Sequence, residues 1–286
     1  MDVLSFLGLG IALVSVVGTM LLEGGSAMSL VHAPAFLIVI GGTFGAVLLQ
    51  TPMRVFLHGF KMLPWVFVPP RDDSAEVIEQ IVEWSQVARR DGVLALEPIA
   101  EEQTEPFIKE AIGLVVDGIP PATMRAVLEN KLTSFEEYEL QAVRIFDQMA
   151  GYAPTIGIIG AVLGLINVMA HLDDPAHLGS GIATAFVATI YGVGTANILY
   201  LPVANKLRLI IRRHSRRLEI IIEGLLGIAT AEPRMRLSMR LMSFLHDGAT
   251  EPEPSAEEEG DIEEDEEEWS AGGRSEPRGD RERRLA

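Results

Sequence analysis

Residues 154–170 read PTIGIIGAVLGLINVMA, seventeen residues without a Lys, Arg, Asp, Glu or His. A bilayer core needs about 20 predominantly apolar helical residues, so this stretch with a few flanking residues crosses a membrane. Three further stretches have the same character: Val3–Leu22, Ala33–Gln50 and Ile182–Val203. Lipid admits only backbones that satisfy their own hydrogen bonds, and strand signals are scarce. The chain therefore reads as mostly α, a polytopic membrane protein with four transmembrane helices and a helical cytoplasmic domain. None of the four stretches carries a side chain that titrates readily at membrane depth. Any ion passing beside them needs a carrier on another chain.

The charge lies elsewhere. The 286 residues are 48% hydrophobic, have mean hydropathy +0.26 and carry a formal net charge of −17. The segment from Glu251 to Ala286 holds 15 acidic and 5 basic residues, ten of those seventeen net charges. Cysteine is absent, which excludes disulfides, thiol catalysis and cysteine metal sites. The acidity and the lack of a basic aromatic surface exclude nucleic acid as a partner. The N-terminal apolar run lacks the basic n-region of a signal peptide and is long for an h-region. It reads as a span, with a weak cleavage site at Gly24-Gly25-Ser26-Ala27 as the lesser alternative.

The linkers Glu23–His32 and His171–Gly181 contain no Lys or Arg, whereas Arg54, Lys61 and Arg71 follow the second span. Lys206, Arg208, Arg212, Arg213, Arg216 and Arg217 follow the fourth. The positive-inside rule then puts both termini and the central insert in the cytoplasm. The organisation that follows is 1–50, two spans with a short outer loop; 51–148, a cytoplasmic helical insert; 149–204, two more spans; 205–248, a basic cytoplasmic helix; and 249–286, an acidic tail unable to build a core. In the insert, Asp73 and Glu76 have capping-box spacing, followed by Val77, Ile78, Ile81 and Val82 at helical intervals. Gly92 and Pro98 interrupt that helix, and Gly118-Ile119-Pro120-Pro121 marks a turn. Tyr138–Met149 is placed to run directly into the third span. Arg54–Val68 fits a helix on the inner membrane surface or a plain cytoplasmic connection.

Several constellations invite a functional reading. Gly160 and Gly164 form a small-xxx-small pattern, which serves either self-association or packing within one subunit. Pro154 and Pro202 each remove a backbone donor. The topology puts both at the cytoplasmic ends of their spans, at the same membrane level, as joints or simply as helix ends. Thr189 falls at a depth similar to Ala161, where its hydroxyl either lines a hydrated path or bonds its own helix. His171, His177, Asp173 and Asp174 lack metal-site spacing and read as a solvated loop. Arg89, Arg90, Asp91 and Glu97 form either a solvated face or an electrostatic docking surface. No phosphate loop, nucleophile elbow or zinc-protease motif converges near the membrane, so no enzyme, cofactor or metal is expected.

Residues 1 to 245 resemble the A subunit of the bacterial flagellar stator, the MotA/PomA family. The stretch Ala88–Glu97, ARRDGVLALE, is similar to the family's cytoplasmic charged motif, with Arg89 and Glu97 at its spacing. Val116-Asp117-Gly118, Ala153–Gly160 and Gly181–Gly192 also match, with the last span closing at Pro202. The resemblance implies a pentameric ring of A subunits around the helices of a MotB/PomB-type dimer, whose Asp carries the ion. It implies an ion path at Ala161 and Thr189, torque-linked prolines at Pro154 and Pro202, and a surface for the rotor protein FliG at Arg89, Arg90 and Glu97. Sodium-coupled relatives usually carry Thr where this chain has Ala161, and a methyl does not ligate a hard cation, which favours protons. The implied location is the bacterial inner membrane, in contact with lipid. The rival is an ExbB/TolQ-type energiser of an outer-membrane system, which has fewer spans and an outward N-terminus. A reporter fused ahead of Met1 is expected to read cytoplasmic; a periplasmic signal would favour the rival.

Overall fold

The structure is a computed structural model that describes residues 3–22, 24–71, 73–170 and 175–247. Residues 1–242 form one unit; of the second, residues 243–286, only 243–247 are described. The acidic tail, Asp72, His171, Asp173 and Asp174 lie outside the described residues, as does the side chain of His177.

Among the described residues four helices are long and apolar enough to cross a membrane. Helix α1 is Val3–Leu22 and α2 is Ala33–Gln50, the latter widened into a π turn over Leu37–Gly41. Helix α3, Met53–Phe67, leads into the insert, which continues with α4 at Ser74–Asp91, α5 at Glu97–Glu102 and α6 at Pro106–Val116. Then α7 runs unbroken from Pro121 to Ala170, 50 residues, or about 75 Å at 1.5 Å per residue. It joins the expected Tyr138–Met149 helix to the third span without a break. Helix α8, Pro175–Thr195, passes through a π turn at Ala196–Tyr200 into α9, Leu201–Ala229, and α10 follows at Arg234–Asp247.

The membrane part is organised by a seam between α7 and α8. A Cβ added at Gly164 would lie 2.8 Å from Ala185 N and Gly181 O. One at Gly160 would meet the Ala188 methyl at 2.8 Å, and one at Gly192 the Ala153 carbonyl at 2.5 Å. The helices run antiparallel in one register, backbone against backbone. Lipid tails are as apolar as side chains, so close packing of small residues supplies the association that burial supplies in water. The Gly160/Gly164 pattern is thus used within one subunit. Helix α2 covers one flank of the seam, with Ala35 and Val39 buried against Val187 and Ala188.

A polar collar marks the end of the bundle nearest the insert. Arg208 donates to Asp147, Thr51 to Gln148 and Tyr152 to Gln50. Below it, α3 turns its apolar face onto α7 rather than leaving it open for a membrane surface. Phe56, Gly59, Met62 and Val66 are buried, and a Cβ at Gly59 would meet the Ala142 carbonyl at 2.8 Å. His58 on α3 contacts Glu139 on α7 at 3.0 Å.

Three local expectations change. Asp73 does stand at the N-cap of α4, but its side chain makes no capping bond. It takes two bonds from Arg217 instead, at 2.5 and 3.1 Å, because a charge-assisted bidentate pair outweighs a backbone N–H bond. Pro98 opens α5 rather than interrupting a helix. The basic helix expected over 205–248 breaks at Thr230–Pro233, where Ala231 adopts φ +51 and Glu232 N–H bonds back to Gly227 O at 2.8 Å.

Gly164→Leu would drive carbon into the backbone of α8. It is expected to cost at least ~1–3 kcal/mol and to deplete the membrane fraction, read by immunoblot and by thermal melting in detergent. Gly45→Ala, with nothing within 4 Å of the added carbon, should leave both unchanged.

Candidate functional site

The seam has two flanks, and helical periodicity assigns residues to them. On α7, Ala153, Gly157, Gly160 and Gly164 form the seam, and Ile156 lies to the α2 side, where its methyl would touch a Cβ on Gly42. Rotation of about 100° per residue puts Pro154 and Ala161 on the opposite side. On α8, Gly181, Ala185, Ala188 and Gly192 form the seam, Val187 and Tyr191 lie toward α2, and Thr189 lies away from it. Ala161 and Thr189 therefore border one groove, on the face that α2 leaves uncovered. The Gly160–Ala188 contact sets them within about one helical turn of each other in depth. Ile158, Leu165, Phe186 and Val193 continue this face, all exposed and all apolar.

The Thr189 hydroxyl donates to Ala185 O at 3.1 Å. Thr155, Thr195 and Asn197 likewise donate to carbonyls three or four residues back. These bonds use the donors and leave oxygen lone pairs available. On the uncovered face Thr189 offers an acceptor but no titratable group.

The prolines sit at different levels. Gly192 packs against Pro154, with 3.2 Å from the added Cβ to the Pro154 Cα. Pro202 comes ten residues later on that strand of the hairpin, about 15 Å further along the helix. The expectation of a single proline level is therefore corrected: the π turn at Ala196–Tyr200 lies between them. A π turn widens the helix just ahead of Pro202, where the ring would otherwise press on the preceding turn.

The charged residues of the insert divide as well. Arg89 and Arg90 end α4, both exposed. Together with Glu83, Gln86, Val87 and Arg234 they line an open groove of about 570 Å³. Arg90 donates to both Asp91 oxygens, at 2.9 and 3.1 Å from Nε, and this holds the Asp91 carboxyl below the usual carboxylate range. Glu97 is exposed at the start of α5 and does not line the groove. Gly92, at φ +88, makes the turn that separates them, a conformation that an L side chain rarely adopts. Arg234 escaped the sequence reading, because nothing in its spacing links it to a motif 145 residues earlier.

Behind the groove the insert is braced by ion pairs. Arg217, itself mostly buried, bridges Asp73 on α4 and Glu105 at the head of α6. The hydrogen bond from Arg217 holds the Asp73 carboxyl below its ordinary value. Arg125 and Arg240 converge on Glu223, tying α7 and α10 to α9.

These features define a polytopic helical membrane subunit with the Thr189 hydroxyl but no titratable group on its uncovered membrane face. Sequence profiles agree: residues 6–92 match "Motility protein A N-terminal" and residues 99–220 match the MotA/TolQ/ExbB proton channel family. The chain belongs to the motility protein A (MotA/PomA) family, whose members are channel subunits rather than enzymes. It is 34% identical to Motility protein A of Bacillus subtilis over 250 residues, 86% of this chain and 91% of that one. Its fold is similar to the structure of C. jejuni MotAB, with TM-score 0.81, 30% identity, 89% of this chain and 98% of that chain covered. The flagellar MotAB stator complex from Bacillus subtilis gives TM-score 0.75 at 32% identity, covering 85% and 96%. The match to the motility N-terminal profile spans α1 through α4, elements that the two-span core shared with the rival energisers would lack.

The Asp73–Arg217 pair has a signed pH consequence. A carboxyl lowered on folding contributes fully above its ordinary value of 3.8, and the contribution is lost as pH falls through the folded value. Asp73→Asn is expected to lower stability near neutrality and to flatten the acid limb, read by thermal melts stepped down through the carboxylate range.

Proposed function

We propose that this chain is the stator A subunit of a bacterial flagellar motor, supplying channel wall, coupling helices and rotor contact while a partner supplies the ion carrier. The observation that carries this reading is the uncovered seam face. It holds Ala161 and Thr189 at one depth, offers the Thr189 oxygen as an acceptor, and contains no acid. Such a face suits a neighbouring helix that brings its own carboxylate. The occupant fitting it is the membrane helix of a MotB/PomB-type subunit, within a pentameric ring of A subunits in the inner membrane. Both termini are cytoplasmic in this reading, consistent with the Lys/Arg bias.

The ion is a proton. Ala161 presents a methyl where a dehydrated sodium ion would need oxygen. Protonation of the partner's carboxylate neutralises it and lets it move along the Ala161–Thr189 groove without the cost of a bare charge in lipid. The motion reaches the cytoplasm through α7, which is continuous past Pro154, and through the π turn and Pro202 on the return helix. Arg89, Arg90 and Glu97 then act on FliG, the first two from the end of α4 and the third from α5.

Swimming driven by this chain and its partner should collapse when a protonophore is added and persist when sodium is replaced by potassium. Sodium-dependent swimming would remove the proton assignment. Purified alone in vesicles, the chain is expected to pass no protons above the leak of empty vesicles.

A further inference from the structure

A recess of about 410 Å³, separate from the seam and from the groove at the end of α4, lies between the end of α3, α7 and α9. Its walls are apolar and stiff: Trp65 at the end of α3, Pro69 and Pro70 in the linker after it, Phe135 on α7 and Ile210 on α9. His214 stacks on Phe135 with ring centroids 5.1 Å apart. Burial, and then the nearby Arg217, hold its imidazole below the ordinary value, so it forms a neutral wall at neutral pH. The polar lining is mainly cationic. Arg217 is already held by Asp73 and Glu105. Arg71 and Arg213 are exposed and form no ion pair among the described residues. Glu139 is the one carboxylate in the lining and is only 5% exposed. His58 engages one of its oxygens at 3.0 Å, and the other, Oε2, has no hydrogen-bond partner among the described residues. A volume of this size suits a small molecule or a head group, and two unpaired guanidiniums suit a phosphate.

The recess stands at the end of a membrane span. Phe67 stacks on Phe6 in the first turn of α1, with centroids 4.8 Å apart, and Lys206 on α9 donates to Ser5 at 2.9 Å. Pro69 follows Phe67 by two residues, and Ile210 follows Lys206 by one helical turn, about 6 Å. From Phe6 an apolar groove of about 450 Å³ runs along α1 past Gly10 and Ile11 to Ser15, about 13 Å along the axis. Gly10 notches it, with nothing within 4 Å of an added Cβ. One stacked ring pair thus joins a cationic recess to an apolar groove that leads into the span. An amphipathic anion matches that succession of surfaces, and in a bilayer that anion is a phospholipid.

We infer that the Arg71–Arg213 recess binds the phosphate of an anionic glycerophospholipid, with an acyl chain laid in the α1 groove and a hydroxyl-bearing head group directed at Glu139. The lipid site rests on α1 being a span, not on the stator reading. Basic recesses at a membrane surface gain affinity from anionic head groups, while the stiff walls and the groove restrict the contact to one lipid in one orientation. Bound there, the lipid touches residues of α1, α3, α7 and α9 together and ties the insert to the membrane surface.

For the test, the full chain is purified in detergent, stripped of lipid and titrated with phosphatidylglycerol or phosphatidylcholine, bound lipid being counted by native mass spectrometry. Phosphatidylglycerol is expected to bind about fivefold or more tightly than phosphatidylcholine. Arg71→Gln and Arg213→Gln should each weaken phosphatidylglycerol binding by about fivefold at unchanged melting temperature. Arg212→Gln, outside the recess, should leave it unchanged. A photoreactive phosphatidylglycerol reports the site on the unaltered chain, with adducts expected within residues 65–71, within 210–214 and in the α1 groove. Equal binding of the two lipids, parent-like binding by either recess variant, or an equal loss in Arg212→Gln overturns the lipid site. Adducts spread evenly over the spans do the same. If soluble glycerol phosphate displaces the lipid as well as phosphatidylglycerol itself does, the recess serves a soluble phosphate ester and the lipid assignment falls. A binding loss that tracks a fall in melting temperature, with adducts outside the recess, assigns the two arginines to stability instead.

Discussion

Everything in the membrane part depends on how closely the backbones of α7 and α8 approach. Four small residues on each helix, from Ala153 to Gly164 and from Gly181 to Gly192, put nothing larger than a methyl between the two backbones. In lipid this contact has no hydrophobic driving force behind it. It is held by dispersion at short range, which a single methylene in the wrong place removes. The same closeness fixes the register, and the register fixes which residues stand on the uncovered flank.

From that register the division of labour follows. The α2 flank is filled by Ala35, Val39, Val187 and Tyr191, while the other flank carries Pro154, Ala161 and Thr189 beside exposed aliphatic and aromatic side chains. A hairpin this tight is suited to behave as one rigid body down to the collar of Asp147, Arg208, Thr51 and Gln148. Below the collar α7 and α9 continue as the spine on which α4, α6 and α10 are mounted. The Ala161–Thr189 groove is thus joined to Arg89 and Arg234 along α7 and α9 and then across the packing of α4 and α10 on α9, with the π turn and Pro202 as the irregular point along one of the two rails.

The spans were legible because lipid imposes a simple rule, and stretches such as 154–170 obey it without exception. The Gly160/Gly164 pattern announced a close approach but left its partner open, since periodicity on one helix cannot say which helix answers it. Local grammar failed where distant charge intervened: Asp73 has the spacing of a cap but is claimed by Arg217, 144 positions later. The break at Thr230–Pro233 was hidden because Ala231 is an unlikely left-handed residue, favoured only by the packing around it. Arg89 and Arg90 were readable from their motif. Arg234 was not, because it joins them through two layers of helix packing that no local pattern encodes.

The central claim is that the flank of the seam opposite α2 receives the partner's ion-carrying helix. The chain has no cysteine of its own, so single cysteines report cleanly. Ala161→Cys, Thr189→Cys and, on the α2 flank, Val187→Cys can each be paired with a cysteine walked along the partner's membrane helix and cross-linked in native membranes. Cross-links at positions 161 and 189 and none at 187 are the predicted result. Efficient cross-linking at 187 with none at 161 or 189 would contradict it.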